Sequence, residues 1–213
     1  MSKSLYSLIL NDEVVNMVDK MARINGYSRS LMIEKILADA VRYETPEIRA
    51  NNIFEEIEKI ISATESMRYL TKTSQYMASI KSALDYRYNP AIKYSVELFP
   101  ESDYLGQLKV NLRTQIPILI NLISDFYTFY SYLEKTYYNS NARYFYDGVK
   151  FTRFFNFPTV NMTSKELAEH LTNYVKDFDE LLNVYFNNLT QDKVVLYKVE
   201  KRFIELKENQ IVI

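Results

Sequence analysis

The sequence predicts a mainly α-helical protein. It divides into an N-terminal module of one strand and two helices (residues 1–45) and an α-helical C-terminal domain (residues 46–213) with a small β-hairpin. Three observations carry this. Three glycines and five prolines in 213 residues leave little punctuation, which favours long helices over many short strands. Apolar residues recur every three or four positions along most of the chain. Capping residues stand where those patterns begin and end.

The first element is a short β-capable run, Ser4-Leu5-Tyr6-Ser7-Leu8-Ile9-Leu10. Asn11 follows as an N-cap, and Asp12 and Glu13 suit the positive end of a helix dipole. Val14, Val15, Val18, Met21 and Ala22 then recur at helical spacing. Gly26 closes this helix as a left-handed C′ residue. Ser28 caps a second helix with Met32, Ile33, Ile36, Leu37, Ala40 and Val41 on its apolar face, and Pro46 marks its limit.

So small a unit cannot bury its apolar faces alone, and a lone strand leaves its backbone groups unpaired. A second copy supplies both needs. Two strands pair antiparallel, and four helices close over one face of the ribbon, so the module is expected to form an intertwined dimer.

This order of elements resembles the ribbon-helix-helix family of DNA-binding proteins (MetJ/Arc/CopG type). The residues that carry the likeness are Leu8 and Leu10, Asn11-Asp12-Glu13, Met21-Ala22, Gly26 and Ser28-Arg29-Ser30, about one fifth of the chain. The resemblance implies that paired strands enter the major groove of double-stranded DNA. Tyr6, Leu8 and Leu10 would then face the core, with Lys3, Leu5, Ser7 and Ile9 toward the bases. It also implies a phosphate anchor at Ser28, Arg29 and Ser30, where free N–H groups and the helix dipole favour an anion. Leu5 and Ile9 depart from the family's polar readers. They can touch thymine methyl groups but cannot hydrogen-bond a base. Six basic residues balance six acidic ones through residue 45, so net charge gives no further help.

Beyond residue 46, Ile53, Ile57, Ile60 and Met67 mark one helix, and Leu70, Met77, Ile80 and Leu84 another that ends near Asn89-Pro90. A loop with Pro100 and Asp103 follows. Within 105–138, Leu112, Ile116, Leu119, Ile123, Phe126, Tyr130, Leu133 and Tyr137 alternate spacings of four and three, a heptad seam in which Pro117 forces a kink or a restart. A second seam runs through Leu167, Leu171, Tyr174, Phe178, Leu181 and Tyr185, capped by Thr163 or Ser164. Val195, Val199, Phe203 and Leu206 mark a last helix. Between the seams, Asp147-Gly148 separates two aromatic, alternating runs and signals a β-hairpin. Its basic and aromatic residues suit stacking on single-stranded nucleic acid, or simply packing against the bundle.

Composition narrows the function. No cysteine is present, which excludes disulfides and thiolate metal sites and suits a cytoplasmic location. The early apolar run is too short for a signal peptide. The apolar stretch from Ile116 to Leu133 carries Asn121, Ser124 and Asp125 and reads as a buried helix rather than a membrane span. One histidine, no phosphate-cradling glycine loop and no dinucleotide fingerprint argue against an enzyme, a cofactor or a metal. Glu166 and His170 share a helix face, but two ligands make a poor metal site.

The expected function is a homodimeric DNA-binding transcriptional regulator. Its C-terminal domain would extend oligomerisation or bind an effector or protein partner. Two alternatives stand beside it. One is a DNA-associated accessory protein of plasmid transfer or partition. The other is a protein–protein interaction module that keeps the ribbon-helix-helix only for dimerisation.

Overall fold

A computed structural model describes residues 5–41, 43–87, 89–138, 142–189 and 192–207. The chain divides into two units, 1–49 and 50–213, and each is taken by itself.

In the first unit, α1 (Asp12–Asn25) begins where Asn11 accepts a hydrogen bond from the Glu13 N–H at 2.8 Å. It stops at Gly26, whose φ of 69° is open to glycine and strained for other residues. The Tyr27 N–H then closes on the Ala22 carbonyl at 2.8 Å. Helix α2 (Arg29–Ala40) opens with the Ser28 Oγ accepting from the Leu31 N–H at 3.3 Å. Val18, Ala22 and Met32 are buried together, with Ile33 and Ile36 packed on them.

Residues 5–10 form neither helix nor strand. The expected single strand of a ribbon-helix-helix module is therefore absent from the described part of this chain; Ser4 and Lys3 lie outside it. The physical reason is that a strand exists through its ladder, and one copy offers this segment no partner strand.

The second unit corrects the fold class. It is not an α-helical bundle but a six-stranded antiparallel sheet with helices, so the protein is α/β rather than mainly α. The strands are β1 (Arg68–Ser74), β2 (Met77–Ala83), β3 (Ala91–Leu98), β4 (Gly106–Leu112), β5 (Tyr144–Asp147) and β6 (Lys150–Phe155), in the spatial order β1-β2-β3-β4-β6-β5. The helix expected through Leu70, Met77, Ile80 and Leu84 is instead the β1–β2 hairpin, turning through Gln75 and Tyr76. Leu112, expected to start the first heptad seam, ends β4. The hairpin expected at Asp147-Gly148 is present as β5–β6 and forms one edge of the larger sheet.

Alternation explains these strands. Ile92, Tyr94, Val96 and Leu98 on β3 and Leu108, Val110 and Leu112 on β4 are buried, while Lys93, Lys109 and Asn111 between them are exposed. That is the two-residue period of a sheet with one face covered. Gly106 belongs to this pairing. A Cβ there would stand 2.1 Å from the Glu97 carbonyl oxygen, so the β3–β4 ladder closes only with glycine at that position.

The covered face is built by α3 (Pro46–Ser62), α4 (Pro117–Tyr138), α5 (Ser164–Asn187) and α6 (Asp192–Lys207). Their buried residues merge with the inward sheet residues in one core. Pro117 is the first residue of α4, where its missing N–H costs nothing. The seam therefore begins at Leu119 and runs through Ile123, Phe126, Tyr130 and Leu133. The second seam lies wholly on α5, and all six of its residues are buried. A full capping box starts that helix: the Thr163 Oγ1 accepts from the Glu166 N–H, and the Thr163 N–H donates to Glu166. Among the described residues no helix is long and apolar enough to cross a membrane.

Candidate nucleic-acid interface

Helix α2 points the first-turn N–H groups of its N-terminus away from the helix body, which favours an anion there. Ser28, Arg29 and Ser30 all stand at this end and are exposed. Ser28 spends its hydroxyl oxygen on the cap. Arg29 is not free. Its Nε and Nη2 donate to Asp19 Oδ1 and Oδ2, both at 2.6 Å, across the Gly26 turn. The Arg29 hydrogen bond is the main cause that lowers the Asp19 carboxyl below its ordinary pKa, and Asp19 in turn raises that of Arg29. The expected phosphate anchor thus carries its own counter-charge.

The sequence held no cue that Asp19 would be the partner, beyond the length of the turn. Two helices folded back about Gly26 bring positions ten apart side by side, so Asp19 and Arg29 meet.

The expected readers lie on the N-terminal arm. Leu5, Ser7 and Ile9 are exposed there, and Lys3 lies outside the described residues. Every residue from 5 to 10 is exposed, Tyr6 at 82%. Leu5 and Ile9 are fully exposed (98% and 104%), whereas Leu8 and Leu10 are partly covered (60% and 42%). An open groove of about 1200 Å³ lies between the arm and α2, lined by Leu5, Leu8, Ile9 and Leu10 of the arm together with Val15, Ile33, Leu37 and Val41.

Of the 24 large hydrophobic side chains exposed among the described residues, 13 belong to the first 43 positions. Apolar surface of this extent is uncommon on a unit of this size.

A second polar constellation sits inside the sheet-containing unit, and no local pattern of residues announces it. Glu134 on α4 and Arg153 on β6 are buried, with Arg153 Nε donating to Glu134 Oε2 at 3.2 Å. The hydroxyls of Tyr144 and Tyr174 donate to the same oxygen at 2.8 and 3.1 Å. The guanidinium also lies over the Phe155 and Tyr174 rings, 5.1 and 4.7 Å from their centroids. Burial works against the charge on Arg153, and Glu134 with the tyrosines more than reverses it, so the group stays protonated. Glu134 Oε1 and Arg153 Nη1 have no hydrogen-bond partner among the described residues. The pair joins α4 to β6. Among the described residues no three His, Cys, Asp or Glu side chains gather as a metal site. Glu166, on whose helix His170 lies, is engaged in the capping box.

No family model matches the chain, and no curated protein or solved structure matches it either.

Proposed function

We propose that the protein is a cytoplasmic, non-enzymatic DNA-binding regulator that acts as a homodimer through its N-terminal unit. One observation carries the reading: 13 of the 24 large hydrophobic side chains exposed among the described residues belong to the first 43 positions, and Leu5, Leu8, Ile9, Leu10, Leu37 and Val41 among them line one open groove. A second copy covers the apolar surface of both units. The exposed Leu5, Ser7 and Ile9 of the arm then meet the floor of the major groove, and the N-termini of the two α2 helices approach phosphates on either side.

The Arg29–Asp19 pair favours a second reading, in which the unit serves dimerisation and protein interaction alone. Its bidentate geometry holds Arg29 against a carboxylate that a phosphate would have to displace.

One experiment separates the two. Binding to random duplex pools at 50 and 200 mM salt is measured for the wild type, Arg29→Ala and Asp19→Asn. A regulator binds duplex DNA with steep salt dependence. Arg29→Ala weakens it across all sequences, and Asp19→Asn strengthens it by releasing the guanidinium. Absence of duplex binding by a dimeric wild type leaves the interaction reading.

A further inference from the structure

The face of the sheet turned away from the helices carries a charge pattern that the composition conceals. Cross-strand register places Arg68 opposite Lys81, Lys81 opposite Lys93, Lys93 opposite Asn111, and Asn111 opposite Lys150. These residues form one row that crosses five strands, roughly 19 Å at the usual strand spacing. Lys109 lies in the next row between Ser95 and Thr152. Arg113 extends the same face past the end of β4, its N–H bonded to the Ala91 carbonyl at 2.9 Å. Arg143 flanks the far edge, its carbonyl accepting from the Phe154 N–H. All seven cations are exposed.

Two carboxylates share these outward strand positions. Glu97 is already engaged by Lys109 at 2.8 Å and Gln107 at 2.6 Å, and Asp147 stands at the outer strand. Like charges directly opposite one another, as at Lys81 and Lys93, destabilise a sheet. A folded chain of net charge −1 thus gathers seven cations against two carboxylates on one surface, a cationic track.

Aromatic rings border the track. Phe145 lies opposite Thr152 on the outward side and is 52% exposed. It meets Phe154 edge-on at 6.0 Å, Phe154 meets Tyr104 at 5.1 Å and Phe99 at 6.3 Å, and the Arg143 guanidinium sits 5.0 Å from the Phe145 ring. Rings offered beside a cationic track suit bases that are free to stack, while the cations follow the backbone. A duplex offers such rings no open base face, so single strands are favoured.

We propose that this sheet face binds single-stranded nucleic acid, with Lys81 and Lys93 holding the backbone and Phe145 stacking on a base. This site is independent of the N-terminal reading, because it lies wholly within residues 68–155.

The test uses the full chain and fluorescein-labelled dT15, rU15 and a 15-base-pair duplex, read by anisotropy at 50 and 200 mM salt. The expected result is binding of dT15 or rU15 that weakens with salt, the stronger of the two identifying the sugar preferred. Lys81→Gln with Lys93→Gln lowers single-strand affinity about tenfold and reduces the salt slope by roughly 1.4, two contacts' worth. Phe145→Ala lowers affinity roughly fivefold or more without changing the slope. Phe145→Leu, which keeps apolar packing, shows the same loss. Duplex affinity is unchanged in all these variants, so failure of this site and failure of the N-terminal reading are told apart. Three results overturn the proposal: neither oligonucleotide binds; the variants leave single-strand binding intact; or they weaken duplex binding equally, as general attraction to polyanions requires.

Discussion

Replacing Glu134 by Gln tests what ties the sheet to its helices. The side chain keeps its shape, and an amide oxygen can still accept from Tyr144 and Tyr174. What it loses is the charge opposite Arg153, which is buried with its Nη1 unpartnered. Breaking one side of a buried ion pair costs about 3–5 kcal/mol, because the remaining charge is left without a counter-charge. For a chain of this length each kcal/mol moves the melting temperature by about 2–4 °C, so Glu134→Gln lowers it by roughly 6–20 °C. The double variant Glu134→Leu with Arg153→Met removes both charges and recovers most of that loss. Thermal unfolding followed by near-ultraviolet circular dichroism reads the effect directly, since Tyr130, Tyr144 and Tyr174 surround the pair. A Glu134→Gln variant destabilised by less than about 1 kcal/mol would refute the reasoning. So would a double variant worse than the single one.

Leu10→Asp places a charge on the groove that the arm and α2 line. Burying a leucine contributes about 1.5–3 kcal/mol, and a dimer contains two copies, so sedimentation should show dimer affinity reduced more than a hundredfold. Gly26→Ala meets no atom within 4 Å, so its cost comes from the φ of 69° alone. It amounts to about 1 kcal/mol, measurable by denaturant unfolding. Asp179 gives a pH-dependent difference. Burial raises its carboxyl above the ordinary value, against the opposing hydrogen bonds from the Tyr94 and Ser82 hydroxyls. A carboxyl that binds its proton more tightly when folded loses stability as pH rises through its folded pKa and regains it below the unfolded value. Asp179→Asn, neutral throughout, should therefore gain on the wild type at pH 7–8 and lose that advantage toward pH 3.5, in urea titrations at each pH.

Legibility in the sequence tracked how local each signal was. Asn11, Gly26, Ser28 and Thr163 act on backbone groups within a few positions, and each stands at the helix end where those residue types were read. The α5 seam was legible because one uninterrupted helix owns all six residues. The α4 seam was overextended by one turn and more, since Leu112 happens to lie four residues before Ile116 although a strand ends between them. Leu70, Met77, Ile80 and Leu84 fit helical spacing by the same coincidence. The competing signal was present in Ile92-Lys93-Tyr94-Ser95-Val96-Glu97-Leu98 and Leu108-Lys109-Val110-Asn111-Leu112, which alternate strictly. The β1–β2 turn at Gln75-Tyr76 has no glycine or asparagine to announce it. The buried Glu134–Arg153 pair was not legible at all, because it joins a helix to a strand through tertiary packing.

The misread period and the hidden charge have one cause. Wound as helices, residues 68–113 would distribute Arg68, Lys81, Lys93, Lys109 and Arg113 around several faces, each diluted by neighbouring acids. Paired as strands, the two-residue period turns every one of them to the same side, and antiparallel register then aligns Arg68, Lys81, Lys93 and Lys150 across the sheet. The chain's charge of −1 is an average over surfaces that this folding separates. A low net charge therefore argues against nucleic-acid binding only for a fold whose charges are spread evenly. Here the sheet concentrates cations on the face opposite α3, α4, α5 and α6, while the candidate duplex-binding end of α2 is neutralised by Asp19. By electrostatics alone, the stronger pull on a polyanion comes from the sheet rather than from the N-terminal unit.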